Sequence, residues 1–263
     1  MKNIVITGST RGIGFGLADA FLALGCRVVV SGRSQAGVDA AVKHLTTRHP
    51  VERVIGTVCD VSVFEQIQAL WNNAKAHTGQ IDIWINNAGL SQPIKNFWEH
   101  QPAEIQNVIV TNLTGAMLGS AVAMRGMLAQ GYGAIYNMEG YGSSGGRMVK
   151  GLGLYGTTKA GLRFFDDALM DEAASTPVII GAIRPGMVIT DMITSQYQNK
   201  PEEWQKASRI FNIIADRVET VTPWLAQKVL ENQKNGVRIA WGSSAKITWR
   251  FLTAPFVKRK VIE

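Results

Sequence analysis

Short apolar runs recur along the chain at Asn3–Thr7, Arg27–Ser31, Val54–Val58, Ile81–Asn86, Ala134–Met138, Val178–Ile183 and Val237–Trp241. Most are too continuously apolar to alternate between two environments, which fits strands of a parallel sheet covered on both faces. Between them, helical spacing covers Ile13–Leu24, Gln35–Arg48, Val63–His77, Pro102–Ala129, Tyr155–Ser175 and Val221–Asn235. Ser62 and Glu65 are spaced as a capping box for the third of these helices. Pro102 suits the first turn of the fourth. Strand–helix repetition predicts right-handed βαβ units and an α/β fold, a doubly wound parallel sheet of about seven strands with helices on both faces. With no repeat, low-complexity tract or linker, residues 1–263 are expected to form a single domain.

The stretch "LTGAMLGSAVAMRGMLA" after Asn112 is apolar around most of its circumference. One face is needed to cover the sheet, and the other points to a homo-oligomer, a dimer or tetramer. Composition adds little: 46% hydrophobic and 18% charged residues are ordinary for a soluble domain. Cys26 and Cys59 sit in apolar surroundings and read as buried thiols. The chain opens on a strand pattern and shows no run of about 18 apolar residues. The expectation is therefore a cytoplasmic protein without a leader or membrane span.

The net charge of +7 is uneven: from Gly236 onward six basic residues (Arg238, Lys246, Arg250, Lys258, Arg259, Lys260) face one acid, Glu263. This basic C-terminal extension, 243–263, is interleaved with aromatic residues. It suits an amphipathic element packed on the domain or contact with a membrane surface. The rest of the chain is nearly neutral, so no nucleic-acid partner is expected.

"TGSTRGIG", Thr7 to Gly14, follows the first strand and opens the first helix. Gly8 permits the tight turn, Gly12 lets backbone approach a pyrophosphate, and Gly14 allows close helix packing. The helix N-terminus then offers amide donors to the anion. Gly8, Ser9, Thr10, Arg11, Gly12, Ile13 and Gly14 are thus candidate cofactor residues. The second strand ends "VVVSGRS" with no acid for a ribose hydroxyl. Arg33 and Ser34, with Arg11, suit a 2′-phosphate, so NADPH (NADP) is expected, with NADH less favoured. Asp60, followed by Val61, is placed to accept from the adenine amino group. No metal site is read.

Thr7-Gly8-x3-Gly12-x-Gly14, Asp60, "NNAG" at Asn86–Gly89, Asn112, Tyr155-x3-Lys159 and "RPGMVITDM" from Arg184 together resemble the short-chain dehydrogenase/reductase family. "IDIWINNAG", "IYNMEGYGS", "LYGTTKAGLR" and "IFNIIADRVETV" resemble, more narrowly, its chlorophyll b reductase branch, which reduces a formyl group on a large pigment. The resemblance implies a Rossmann-type domain carrying nicotinamide chemistry. Asn87, Ala88 and Gly89 should line the adenosine side. Pro185, Gly186, Val188 and Thr190 should hold the carboxamide. Asn112 should distort its helix and complete a proton path.

Tyr155 is the expected acid. A free phenol has a pKa of about 10, and the Lys159 ammonium one turn later should pull it toward neutrality. Most of the family carries a serine just after the fifth strand; aligned from the strand end that place is Gly140, counted back from Tyr155 it is Gly142 or Ser143, and Ser143 (after it Ser144 or Tyr141) is the expected substitute hydroxyl. A segment near 191–220 with Met192, Ile193, Tyr197, Trp204, Ile210 and Phe211 reads as an apolar substrate lid. The expected function is NADPH-dependent hydride transfer to an aldehyde or ketone on a bulky apolar small-molecule substrate. The alternatives are a lipid or steroid-type alcohol dehydrogenase running oxidatively, and a non-catalytic NADP(H)-binding sensor.

Overall fold

The computed structural model describes residues 1–263 except Gly146, Arg147, Asn199, Ser243, Pro255, Lys258 and Glu263; the Lys258 and Glu263 charges counted above therefore lie outside the described residues. The chain runs β1 (Asn3–Ile6), α1 (Gly12–Ala23), β2 (Arg27–Gly32), α2 (Gln35–Thr46), β3 (Val54–Val58), α3 (Phe64–Thr78) and β4 (Ile83–Asn86). It continues with α4 (Pro102–Ile109), a π turn at Val110–Thr114, α5 (Gly115–Gln130), β5 (Gly133–Met138), α6 (Gly153–Glu172) and β6 (Val178–Arg184). It ends β7 (Val188–Ile189), α7 (Asp191–Thr194), α8 (Pro201–Ile214), β8 (Asp216–Arg217), α9 (Val218–Glu231), β9 (Val237–Ala240) and α10 (Ser244–Thr253).

The seven long strands form one parallel sheet in the order β3-β2-β1-β4-β5-β6-β9. Side chains alternate across it: Ile4 and Ile6 pack with Leu17 and Phe21 of α1 and Leu225 of α9, while Val5 packs with Leu70 of α3 and Ala123 of α5. Both faces of the central strands are therefore covered, which is why those strands are mostly apolar. The chain departs from β1 toward β3 and returns on the other side through β4. The crevice beyond the carboxyl ends of β1 and β4 is the switch point where such sheets bind ligands.

Local features depart from the sequence reading in physically instructive ways. The Ser62/Glu65 capping box does not form. Val63 is the N-cap without a side-chain bond, and the Ser62 hydroxyl donates to Asp60 Oδ1 at 2.7 Å. Pro102 does open α4. Pro102–Gln130 is one helical run of 29 residues with a mean hydropathy of 1.3 in its most apolar stretch, so by length and composition it passes as a membrane span, contrary to expectation. Its packing shows another use: a Cβ on Gly119 would lie 2.1 Å from Asn86 Oδ1, so α5 is apolar and glycine-rich because it presses on the sheet.

Three of the cations after Gly236 are ion-paired rather than solvated. Arg250 and Arg259 both bind Asp216, and Arg238 pairs with Glu139 and Asp167. Lys246 lies 4.1 Å from the Trp241 ring centre. Both cysteines are buried and unpaired, and burial pushes the Cys59 thiol up to about 12.

Candidate active site

The glycine loop is built by side chains that face inward. Asn87 Nδ2 donates to the Thr7 and Gly8 carbonyls, both at 2.9 Å, and the Asn87 and Ala88 amides donate to Thr7 Oγ1 at 3.0 and 3.1 Å. Gly8 and Gly12 take φ of +61° and +58°, and a Cβ on Gly8 would lie 2.7 Å from Ala88 Cα. Ser9 spends its donors within the fold: its amide bonds the Ser31 carbonyl and its hydroxyl the Ile6 carbonyl. Thr10 rests against Gly32, where a Cβ would lie 2.6 Å from Thr10 Cγ2. Ile13 packs on the core, and Gly14 is buried where a Cβ would meet Asn87 Nδ2 at 2.3 Å.

Arg11 and Arg33 are exposed, and neither has an ion-pair partner among the described residues. Ser34 caps α2, its hydroxyl oxygen accepting from the Gly37 amide at 3.2 Å. Asp60 Oδ1 accepts from the Ser62 amide and hydroxyl, while Val61 is buried against α5. Pro185, Gly186, Val188 and Thr190 follow β6, and Thr190 Cγ2 is 3.5 Å from where a Gly12 Cβ would be. The structure thus brings the carboxamide-loop candidates onto the glycine loop. A helix N-terminus, close-approach glycines and two uncommitted arginines fit a dinucleotide with an anionic pyrophosphate.

Across the crevice, Asn112 lies in the π turn, as the expected helix distortion requires, and is buried. It accepts from the Leu90 amide at 2.7 Å and donates to the Leu90 carbonyl at 2.8 Å and to Thr158 Oγ1 at 3.2 Å. Gly89 sits beside it, a Cβ there falling 3.5 Å from Asn112 Oδ1. Asn112 therefore locks the segment after β4 to the start of α6.

Tyr155 and Lys159 share one face of α6. The lysine ammonium does not bond the phenol directly. Lys159 Nζ donates to the Met138 carbonyl at 2.7 Å and lies 5.9 Å from the Tyr155 ring centre. Burial pushes Tyr155 up to about 12 with no opposing charge effect, and burial pulls Lys159 down to about 8 against the pull of Asp166 and Glu139. Both groups are desolvated, and desolvation favours the neutral form of each.

Gly140 explains the missing serine. A Cβ there would lie 2.6 Å from Tyr155 Oη and 3.5 Å from Lys159 Cγ. The tyrosine hydroxyl occupies the volume that a side chain at 140 would need. Ser143 is brought into the same turn but is not available as a substitute donor: its hydroxyl donates to the Gly140 carbonyl at 2.7 Å. Tyr141 Oη accepts from the Val149 amide at 2.5 Å, and Ser144 is exposed. Ser143→Ala is accordingly expected to keep turnover within about threefold while losing about 1 kcal/mol of stability; steady-state rates and thermal unfolding check this, and a fall of a hundredfold restores Ser143 as a donor.

Sequence reasoning missed several residues that shape the site. Gln92 is buried, accepts from the Tyr155 amide at 2.5 Å and donates to the Gly151 carbonyl at 2.7 Å, so it fixes the start of α6. Gln196 in the segment after α7 donates to Ser91 Oγ at 2.6 Å. Glu139 is fully enclosed and receives Arg184 Nε at 2.9 Å and Arg238 Nε at 3.1 Å. Asp166 is buried and accepts from Asn137 Nδ2 at 2.6 Å. The available signal was a charged residue at the end of an apolar strand and another on the apolar stripe Leu162–Asp166–Met170.

This fold and site define an NAD(P)-binding oxidoreductase scaffold. The chain belongs to the short-chain dehydrogenase family, whose model matches residues 2–201. It is 35% identical over 271 residues to the probable chlorophyll(ide) b reductase NYC1 of Oryza sativa subsp. japonica, covering 96% of this chain and 52% of that protein. It is also 35% identical to the chlorophyll(ide) b reductase NOL of Arabidopsis thaliana, covering 95% of this chain and 70% of that one. The chain thus spans about half the length of NYC1. A variant of actinorhodin polyketide ketoreductase solved with NADPH superposes with a TM-score of 0.80 at 25% identity, over 91% of this chain and 95% of that one. NYC1 and NOL are both chloroplastic, which overturns the expectation of a cytoplasmic protein.

Proposed function

We propose that this chain is an NADPH-dependent carbonyl reductase acting on a bulky apolar aldehyde or ketone, of the kind the chlorophyll(ide) b reductases reduce. The observation that carries the reading is Tyr155: a half-buried ring whose desolvated hydroxyl stays protonated, with Lys159 and Asn112 held behind it. A protonated phenol at the mouth of the crevice is placed as the general acid/base such a reaction needs. A nicotinamide dinucleotide in the crevice supplies the hydride. Tyr155 Oη gives the proton to the carbonyl oxygen, Lys159 supplies positive charge from below, and Asn112 holds the two flanking segments in register.

The uncommitted Arg11 and Arg33 support a 2′-phosphate. The substrate class is supported by the rim. Phe97, Trp98, Met148, Val149 and Met192 are exposed on three segments that meet around Tyr155 through Gln92–Gly151, Gln196–Ser91 and the contact of Ile94 with Gly151. Tyr197, Trp204 and Phe211 cluster with ring centres 5.4 to 6.2 Å apart, and no residue of α8 is buried, as suits a lid over 191–220. A second copy of the chain is the proposed cover for exposed Met117, Leu128 and Phe164 on α5 and α6, and a membrane surface for exposed Trp249, Leu252 and Phe256 near the C-terminus.

The test follows NADPH absorbance over a panel of aldehydes and ketones that includes formyl-bearing tetrapyrroles. Turnover is expected on the large, flat carbonyls and with NADPH well ahead of NADH. Silence across the whole panel sinks the reductase reading, and equal constants with NADH sink the cofactor preference alone.

A further inference from the structure

We propose that Asp166 is a positioning residue for Lys159, a buried counter-charge that keeps the lysine ammonium protonated beneath the reacting carbonyl; this rests on the reductase reading above. Asp166 is 0% exposed. Its Oδ1 accepts from Asn137 Nδ2 at 2.6 Å, whereas its Oδ2 is buried with no hydrogen-bond partner. Lys159 is likewise enclosed, and among the described residues its Nζ makes one hydrogen bond, to the Met138 carbonyl at 2.7 Å. Asn137 and Met138 are consecutive at the end of β5, so α6 sets its carboxyl and its amine against neighbouring residues of one strand.

Two cations act on Asp166, Arg238 and Lys159, and only Arg238 is already committed to other carboxylates. From β5 comes the neutral Asn137 amide, whose Oδ1 in turn accepts from Asn86 Nδ2 at 2.7 Å and Ser120 Oγ at 3.3 Å. Just beyond β5 stands Glu139, a second buried carboxylate, already held by Arg184 and Arg238. From β9 comes Arg238, shared between Glu139 and Asp167. From α6 itself comes Lys159, which has no ion pair among the described residues. A carboxylate buried without compensation is costly, so it takes up a proton or finds a cation. Here the cation without a carboxylate of its own is the lysine that the chemistry needs charged.

The physical consequence is a coupled pair. Burial pushes Asp166 up to about 7, with Glu139 adding to the rise and Asn137, Arg238 and Lys159 opposing it. Burial pulls Lys159 down to about 8, and Asp166, then Glu139, resist that fall. Each ionised partner favours the ionised state of the other. Removing the Asp166 charge therefore lowers the Lys159 pKa further and leaves a neutral amine where Tyr155 needs a positive neighbour.

The experiment compares the pH dependence of kcat/KM for carbonyl reduction in wild type, Asp166→Asn and Asp171→Asn. The last removes the same charge from an exposed place on the same helix. Reduction needs Lys159 protonated, so activity falls as pH rises through the lysine pKa. In Asp166→Asn that fall should begin about one pH unit lower, roughly a fivefold loss at the midpoint of the wild-type limb, while Asp171→Asn follows wild type. An alkaline limb of Asp166→Asn that overlays wild type overturns the proposal. Carbon NMR of the wild-type protein, labelled at aspartate carboxyl and lysine ε-carbon, gives the second readout and needs neither substrate nor a folded variant. Asp166 should titrate far above the usual aspartate value of about 3.9, with a matching inflection at Lys159. An ordinary Asp166 titration with no echo at the lysine overturns the proposal even if no carbonyl is ever turned over.

Discussion

Tyr155→Phe is expected to lower kcat for carbonyl reduction by about 10²–10⁴ while leaving NADPH affinity within about threefold. The magnitude is that of removing a positioned general acid. The selectivity follows from the geometry. The Tyr155 backbone amide, not its side chain, holds the start of α6 to Gln92, and Thr158 Oγ1 donates to the Tyr155 carbonyl at 2.7 Å. Phenylalanine keeps both contacts and the ring, and removes only the hydroxyl beside Gly140. Since burial holds that hydroxyl near 12, it is a protonated phenol across the neutral range, and its loss takes a proton from the reductive step. Rates with the best carbonyl substrate, with NADPH binding followed by fluorescence, check both halves. A variant that reduces carbonyls at the wild-type rate removes Tyr155 from the chemistry, and a chain that binds NADPH identically but never turned over is a sensor.

What the sequence made legible tracks how local each cause is. The seven long strands lie within two residues of their apolar runs because burial on both faces of the central strands strongly favours apolar residues there. The glycine loop was readable because its turn demands positive φ at Gly8 and Gly12. The two-residue strands at Val188–Ile189 and Asp216–Arg217 are too short to carry any period, and they form only because the chain after β6 meets the start of α9. Ser62 looked like a cap because spacing alone cannot show that Asp60 competes for its hydroxyl. Gln92 was invisible for a related reason: its partners lie 59 and 63 residues away.

Charge was misread most. Counting basic residues after Gly236 cannot show which are neutralised across the fold, as Arg238, Arg250 and Arg259 are by Glu139, Asp167 and Asp216. Lys159 was expected to sit against the tyrosine hydroxyl, but its ammonium bonds the Met138 carbonyl and lies 5.9 Å from the Tyr155 ring centre. A four-residue spacing on a helix gives proximity; it does not give the dielectric in which two charges meet.

Gly140→Ser, which restores the hydroxyl most of the family carries, is expected to slow reduction by about 10–100-fold. The new Cβ would fall 2.6 Å from Tyr155 Oη, well inside van der Waals contact, so the tyrosine must turn or the turn at 140–143 must open. Neither is free. Gly142 holds φ of +98° with a would-be Cβ 2.4 Å from the Gly156 carbonyl oxygen, and the Ser143 hydroxyl ties the turn to the Gly140 carbonyl. Overpacking a tight site typically costs 1–3 kcal/mol, and a displacement of about 1 Å in an acid costs of order 10² in rate. Gly140→Ala separates the two effects, since it adds the clash and no donor. If both variants are slow and NADPH still binds, the glycine is there to make room for the tyrosine. If Ala is slow and Ser is fast, the tyrosine moves away when the site is loaded and the vacated space accepts a second donor. The volume at residue 140 and the position of the Tyr155 hydroxyl are thus one variable, and measuring turnover in the two variants fixes it.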